Sequence, residues 1–305
     1  MMMEIDKDRA PDIKLFVNAL NSRAKVFDLT GRTGEALDDI KRAVAAAEKV
    51  KNNKLTADCI SSLSSIYFSS SNYREMMVEA EKALVIFRKL RDRKGIASCL
   101  ANIGYAHRAF SDYSKALKYY EESLEIQRDI KEYQGQASNL NNIGRVHCIL
   151  GENEKALEYY KRARAIYKRL CLRNELSLII LNIGFIYQNQ EDYKTAIRYY
   201  KNALEIQMKT GDIQAIAYNY INLGFSNKQL GQVETATEYF LKALKIFKNS
   251  EGLQGQAMVY HNLGGICRNQ NDPKKAAAHY KKAAEIFLKI GDKRGLAMST
   301  HNTAI

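Results

Sequence analysis

The sequence of 305 residues has no tryptophan and only two prolines, Pro11 and Pro273. Proline interrupts helix interiors and stiffens linkers, so its scarcity leaves long helices unbroken and excludes a proline-rich hinge. Glycine is scattered, and no Ser/Gly-rich stretch divides the chain. The five cysteines (Cys59, Cys99, Cys148, Cys171 and Cys267) are odd in number and far apart, without a CxxC or Cys/His pair at metal-ligand spacing. That excludes a disulfide framework and a zinc site, and points to reduced thiols in a reducing compartment. Met1 to Asp12 lacks the apolar core of a signal peptide, and no run approaches a membrane span. We therefore expect a cytoplasmic protein.

Catalytic patterns are missing as well. There is no GxxxxGK[ST] loop, no strand-borne GxGxxG and no nucleophile elbow. His261, His279 and His301 have no HExxH or HxxxH spacing, and His107 and His147 share a column on the packed side of a helix. Paired carboxylates such as Glu121 and Glu122 read as solvated charge. The expectation is no enzyme, no metal and no cofactor.

What is present is helix-forming. Ala, Leu, Glu, Lys, Gln and Arg dominate, and a hydrophobic content of 46% is ample for a packed core. The formal net charge of +13 could serve nucleic acid or an anionic surface, yet Lys and Arg recur once or twice per segment among Glu and Asp, as in Lys161-Arg162 and Lys281-Lys282. A solvated outer face is the plain reading and an acidic partner the other; nucleic acid and membrane are disfavoured.

Self-comparison exposes a period of forty. Asn102-Ile103-Gly104 returns as Asn142-Ile143-Gly144, Asn182-Ile183-Gly184, Asn222-Leu223-Gly224 and Asn262-Leu263-Gly264, then as Asn302-Thr303-Ala304. Earlier copies retain a small residue at Ser64 and Ala24. Twelve residues after each glycine stands Ala116, Ala156, Ala196, Ala236 or Ala276, with Met76 the exception; four residues later comes Tyr120, Tyr160, Tyr200, Phe240 or Tyr280. Polar turns such as Gly151-Glu152-Asn153 separate the columns, so each unit reads as helix A, turn, helix B. Glycine inside a helix costs about 1 kcal/mol against alanine, and its recurrence predicts close helix contact.

These columns resemble the tetratricopeptide repeat: Tyr220, Leu223-Gly224 and Asn227, then Ala236 and Phe240, follow its signature. Units of forty rather than the shorter usual form, with no proline after helix B, are similar to those of LGN/Pins-type adaptors, kinesin light chain and Rap-type regulators, and predict a longer helix B. The resemblance implies an all-α fold, an α-solenoid wound as a right-handed superhelix with helix A lining the inner surface. It places an extension at 1–12 and seven units at about 17–56, 57–96, 97–136, 137–176, 177–216, 217–256 and 257–296. Residues 297–305 open an eighth unit, which we read as cut short from a longer protein.

Function in such a fold belongs to the inner surface. Asn102, Asn142, Asn182, Asn222, Asn262 and Asn302 form a ladder of carboxamides, each able to donate and accept toward a peptide backbone. The resemblance gives this column that role; bonding to an adjacent helix is the alternative. A second column reads Tyr105, Arg145, Phe185, Phe225 and Gly265, and a third Arg108, Cys148, Gln188, Lys228 and Arg268. Aromatics there can anchor a ligand or pack on a neighbour, and the cations suit Asp or Glu. The expectation is an adaptor that holds an acidic segment of a protein partner; a Rap-like peptide sensor is the alternative. Self-association through an exposed C-terminal helix is a further possibility.

Overall fold

Fifteen helices account for the structure, a computed structural model that describes residues 10–303. No strand occurs among the described residues. Residues 1–9, most of the expected extension, and 304–305, the end of the expected eighth unit, lie outside them. The chain forms two compact bodies, Met1–Ile166 and Tyr167–Ile305, and the division falls within α8 (Asn153–Arg169).

In the first body the helices are α1 (Ala10–Leu29), α2 (Thr33–Lys49), α3 (Asn53–Ser69), α4 (Tyr73–Leu90), α5 (Arg93–Ala109), α6 (Tyr113–Asp129) and α7 (Tyr133–Ile149). The second holds α9 (Arg173–Asn189), α10 (Tyr193–Thr210), α11 (Ile213–Gln229), α12 (Val233–Asn249), α13 (Leu253–Asn269), α14 (Pro273–Lys289) and α15 (Lys293–Thr303). Within each body successive helices pack in chain order. Odd-numbered helices also touch the next odd-numbered one, as α3 touches α5 and α11 touches α13. Each body is thus a stretch of α-solenoid with the odd-numbered helices side by side on one face.

The expected lengthening of helix B goes with an A helix of the same length: α5 and α6 both span 17 residues. Their junctions carry a pattern finer than forty. Every twentieth residue takes a left-handed backbone, from Gly31 and Lys51 through Ser111 (φ 62°) and Gly151 to Asn271 and Gly291. At one such junction the N–H of Ser111 donates to the carbonyl of Arg108 and that of Asp112 to His107, at 3.0 and 2.8 Å. This is a Schellman closure, which satisfies the last carbonyls of α5. The residue after it caps the next helix: Asp92 Oδ1 accepts from the N–H of Gly95 at 2.9 Å, and Asp212 Oδ1 from Ala215 at 2.9 Å. Three residues suffice to end one helix and start another. The odd-numbered helices begin four residues before the expected unit starts at 57, 97 and so on, α3 at Asn53 and α5 at Arg93.

The glycine column explains itself. A Cβ on Gly104 would stand 2.9 Å from the ring of Tyr120, and one on Gly144 2.7 Å from Tyr160. Those rings, with Ala116 and Ala156, are buried. The aromatic column fills the space a side chain would need, so apolar area is buried at the cost of helix propensity. A second layer alternates in character. Phe87, Phe247 and Phe287 fill it in three units over Gly95, Gly255 and Gly295, whereas Gln127 and Gln207 stand there in two others. The amides are held by Asn139, whose Nδ2 donates to Gln127 Oε1 at 2.8 Å, and Asn219, which donates to Gln207 Oε1 at 2.9 Å.

Candidate peptide-binding face

The A-helix residues singled out above fall on the odd-numbered helices, α5 and α7 in the first body and α9, α11, α13 and α15 in the second. In the first body the expected anchor is already covered. Tyr105 meets Phe68 edge-on at 4.5 Å between centroids and Tyr73 at 5.7 Å, and the Arg108 guanidinium lies 4.3 Å above its ring. Arg108 Nε is buried without a hydrogen-bond partner among the described residues. Burial drives the Tyr120 phenol up to about 12 against the opposing pull of Arg108 and Arg145. Asn102 donates from Nδ2 to Ser64 Oγ at 3.3 Å, and Ser64 donates to the Met76 carbonyl at 2.9 Å. Beside Asn102 a polar hollow of about 620 Å³ is walled by Ser61, Ser62, Ser65 and Lys25. Asn142 is half-buried.

Histidines of the packed column sit as expected of core residues. His107 stacks on Tyr119 at 5.4 Å, 3.4 Å from Asp112, and His147 stacks on Tyr159 with Nδ1 2.6 Å from Glu152. Tyr187 takes the same place on Tyr199.

The second body brings more of the named residues together. Phe225, Lys228, Asn262, Arg268 and Asn302 line one cavity of about 450 Å³. Phe225 packs at 6.5 Å from Tyr193, with Lys228 Nζ 5.2 Å from its centroid. Burial, and then the charge of Arg268, push the Lys228 ammonium below its ordinary value. Arg268 donates to Asn302 Oδ1 at 2.9 Å, while the Nδ2 atoms of Asn302 and Asn262 donate to the carbonyls of Met298 and Met258, each at 2.9 Å. These bonds take one of the two N–H donors of each carboxamide and also the oxygen of Asn302, so the ladder here is partly satisfied within the protein. Phe185 is 45% exposed, away from this cavity. Gln188 is turned inward, its Oε1 accepting from Tyr200 OH at 3.0 Å and Ser226 Oγ at 3.2 Å. Asn182 is half-buried and engaged in the protein, and Asn222 is half-buried.

Residues outside the sequence columns complete the cavity. His261 and Met258 come from α13, Tyr280 and Phe287 from α14, and Arg294 and Met298 from α15. His261 Nδ1 lies 3.0 Å from Ser299 Oγ, its ring 5.3 Å from Tyr280. Burial, then Lys228 and Arg268, lower its pKa. His261 directly precedes Asn262, the one sequence signal available for it; Tyr280 looked like packing alone. Gly265 contributes empty space, since a Cβ there would meet only Lys228 Nζ at 3.5 Å and Tyr280 OH at 3.6 Å. It costs helix α13 about 1 kcal/mol with no ring to accommodate. Among the described residues no cluster of three or more His, Cys, Asp or Glu could hold a metal, and no helix is long and apolar enough to cross a membrane.

Solved structures with the same fold include the apo form of RapI, 18% identical over 90% of this chain and 99% of that one, with a TM-score of 0.70. A Rap protein complexed with competence and sporulation factor is 19% identical over 92% and 77%, with a TM-score of 0.70. Repeats of a putative kinesin light chain from Podospora anserina are 17% identical over 64% and 96%, with a TM-score of 0.52. No curated protein matches the sequence. The tetratricopeptide-repeat family model matches residues 79–129, 112–169, 135–207 and 212–289. With the forty-residue period and the glycine-on-aromatic packing, this places the chain in the tetratricopeptide-repeat family.

Proposed function

We propose that this protein is a binding module whose odd-numbered helices hold an extended, acidic segment of a partner protein. The observation that carries this reading is the cavity of the second body. Six residues from the three inner-surface columns line it together, and cations stand over an apolar floor. An apolar anchor supplies most of the affinity in such a site, and the charges select acidic ligands and speed their encounter. The hollow of the first body, walled by Ser61, Ser62, Ser65 and Lys25, is by itself a polar surface without an aromatic anchor.

Replacing Asn182, Asn222 and Arg268 together by Ala tests the reading. Fluorescence anisotropy with labelled acidic peptides should show weaker binding by about tenfold or more, as the loss of two to three hydrogen bonds requires, with helicity unchanged by circular dichroism. Undiminished binding by a folded triple variant would remove this face from consideration.

The Rap protein crystallised with competence and sporulation factor favours a second reading, a regulatory sensor in which a bound ligand alters the solenoid. Small-angle scattering separates the two: compaction on saturation with a peptide supports the sensor, and an unchanged profile supports the adaptor.

A further inference from the structure

We propose that Gly265 opens the cavity of the second body to an anionic side chain of the bound segment, so that this one position selects a residue of the ligand. The inference rests on the peptide-binding reading above and names what the cavity takes.

The same position is occupied by the large Tyr105, Arg145, Phe185 and Phe225 in the four preceding units, and by Lys25 and Ser65 before them. Only α13 leaves it bare. The other glycines within odd-numbered helices are explained by packing: a Cβ on Gly95, Gly135, Gly184, Gly255 or Gly295 would come within 3.0 Å of a side chain. At Gly265 the contacts would be 3.5 and 3.6 Å, ordinary van der Waals distances. Packing does not demand glycine there. What its bareness does is vacate volume beside two hydrogen-bond donors, the Lys228 ammonium and the Tyr280 hydroxyl.

The charge around that space is one-sided. Lys228, Arg268 and Arg294 line the cavity with His261. The one carboxylate on its wall, Asp292, is occupied by capping α15, its Oδ1 accepting from the N–H of Gly295 at 2.9 Å. Phe225, Met258 and Met298 supply an apolar surface for the aliphatic stem of the entering residue. Oxygen carrying negative charge, whether carboxylate or phosphoryl, satisfies these donors and relieves the repulsion between Lys228 and Arg268. Burial first, and the charge of Arg268 second, lower the pKa of Lys228, and a neighbouring oxyanion would oppose both.

The probes are short peptides, amidated at the C-terminus, with Glu, phosphoserine or Gln at a central position between aliphatic and aromatic residues. The full chain should bind the Glu or the phosphoserine peptides at least about tenfold more tightly than the Gln peptides, and the stronger of the two identifies the oxyanion. In Gly265→Phe, which restores the bulk found in α11, that preference should disappear with the melting temperature held or raised. Lys228→Met should abolish the preference without filling the space. Equal binding of Glu, phosphoserine and Gln peptides would overturn the role of Gly265 while leaving peptide binding intact, as would a folded Gly265→Phe that keeps the preference. Failure of the wild-type chain to bind any of these peptides would instead overturn the peptide-binding reading, and this inference with it.

Discussion

The bare Cα of Gly224 faces the ring of Phe240 so closely that a Cβ would stand 2.7 Å from Cε1. Helices α11 and α12 can approach only because one residue gives up its side chain and the other fills the space.

Two alanine substitutions in helical glycines should therefore act in opposite directions. Gly224→Ala forces the buried Phe240 to move, and we expect a loss of about 1–3 kcal/mol in urea unfolding. Gly265→Ala meets no such obstacle and should gain up to about 1 kcal/mol from helix propensity. Equal effects at the two sites would contradict the packing account.

The left-handed junctions make a second prediction. Arg91, Lys131 and Glu191 adopt φ of 55°, 57° and 61°, where a Cβ is strained by roughly 1 kcal/mol. Arg91→Gly and Glu191→Gly should each raise the urea midpoint, less the added entropy of the unfolded glycine. Gly211→Ala, at φ 73°, should lower it. A midpoint unchanged in all three would mean that the turns yield to their sequence.

The alternating layer can be tested by exchange. Asn219→Ala strands the buried Gln207 amide and should cost about 1–3 kcal/mol. Converting the layer to the form seen at Val259 and Phe247 requires Asn219→Val with Gln207→Phe, and also Ala215→Gly, since Gly255 lies under Phe247. We expect the triple variant to recover most of the loss and the double variant without Ala215→Gly to recover little, a non-additivity readable in unfolding curves.

Acid should destabilise the protein first through histidine. Burial, Lys228 and Arg268 hold His261 below its ordinary value, and burial and Lys282 hold His279 below its own. Unfolded chains protonate at both positions as pH falls through about 6.5, while the native state resists until lower pH. Stability thus declines below about 6.5 until the native histidines titrate as well. Carboxylates lowered by partners, such as Asp92 and Asp272, add their loss only below their unfolded value of about 4. His261→Gln should flatten the first decline in a series of melting temperatures between about pH 7 and 5. An acidic ligand bound in the cavity should flatten it too, by favouring the imidazolium.

Local chemistry wrote the solenoid into the sequence. A glycine that costs helix propensity, an alanine twelve residues on and a ring four residues later state the contact between two helices before any coordinate is known. The period of twenty was harder to see, because nine of the left-handed positions carry ordinary side chains such as Lys51 and Cys171 in place of glycine. The Schellman hydrogen bonds and the following cap residue hold those turns, and neither depends on one residue type.

The site needed tertiary structure. Gln188 and Lys228 occupy the same column, yet one turns inward to Tyr200 while the other walls a cavity, because the side chains above them differ. Tyr105 and Phe225 are equivalent in sequence and each packs on a tyrosine, Tyr73 or Tyr193, but Phe68 also meets the first, where Gln188 stands in the equivalent place for the second. His261, Tyr280 and Met298 meet around Gly265 from three helices. Periodicity reports which face a residue occupies; whether that face is open depends on the volumes of neighbours several tens of residues away, and only packing brings those into contact.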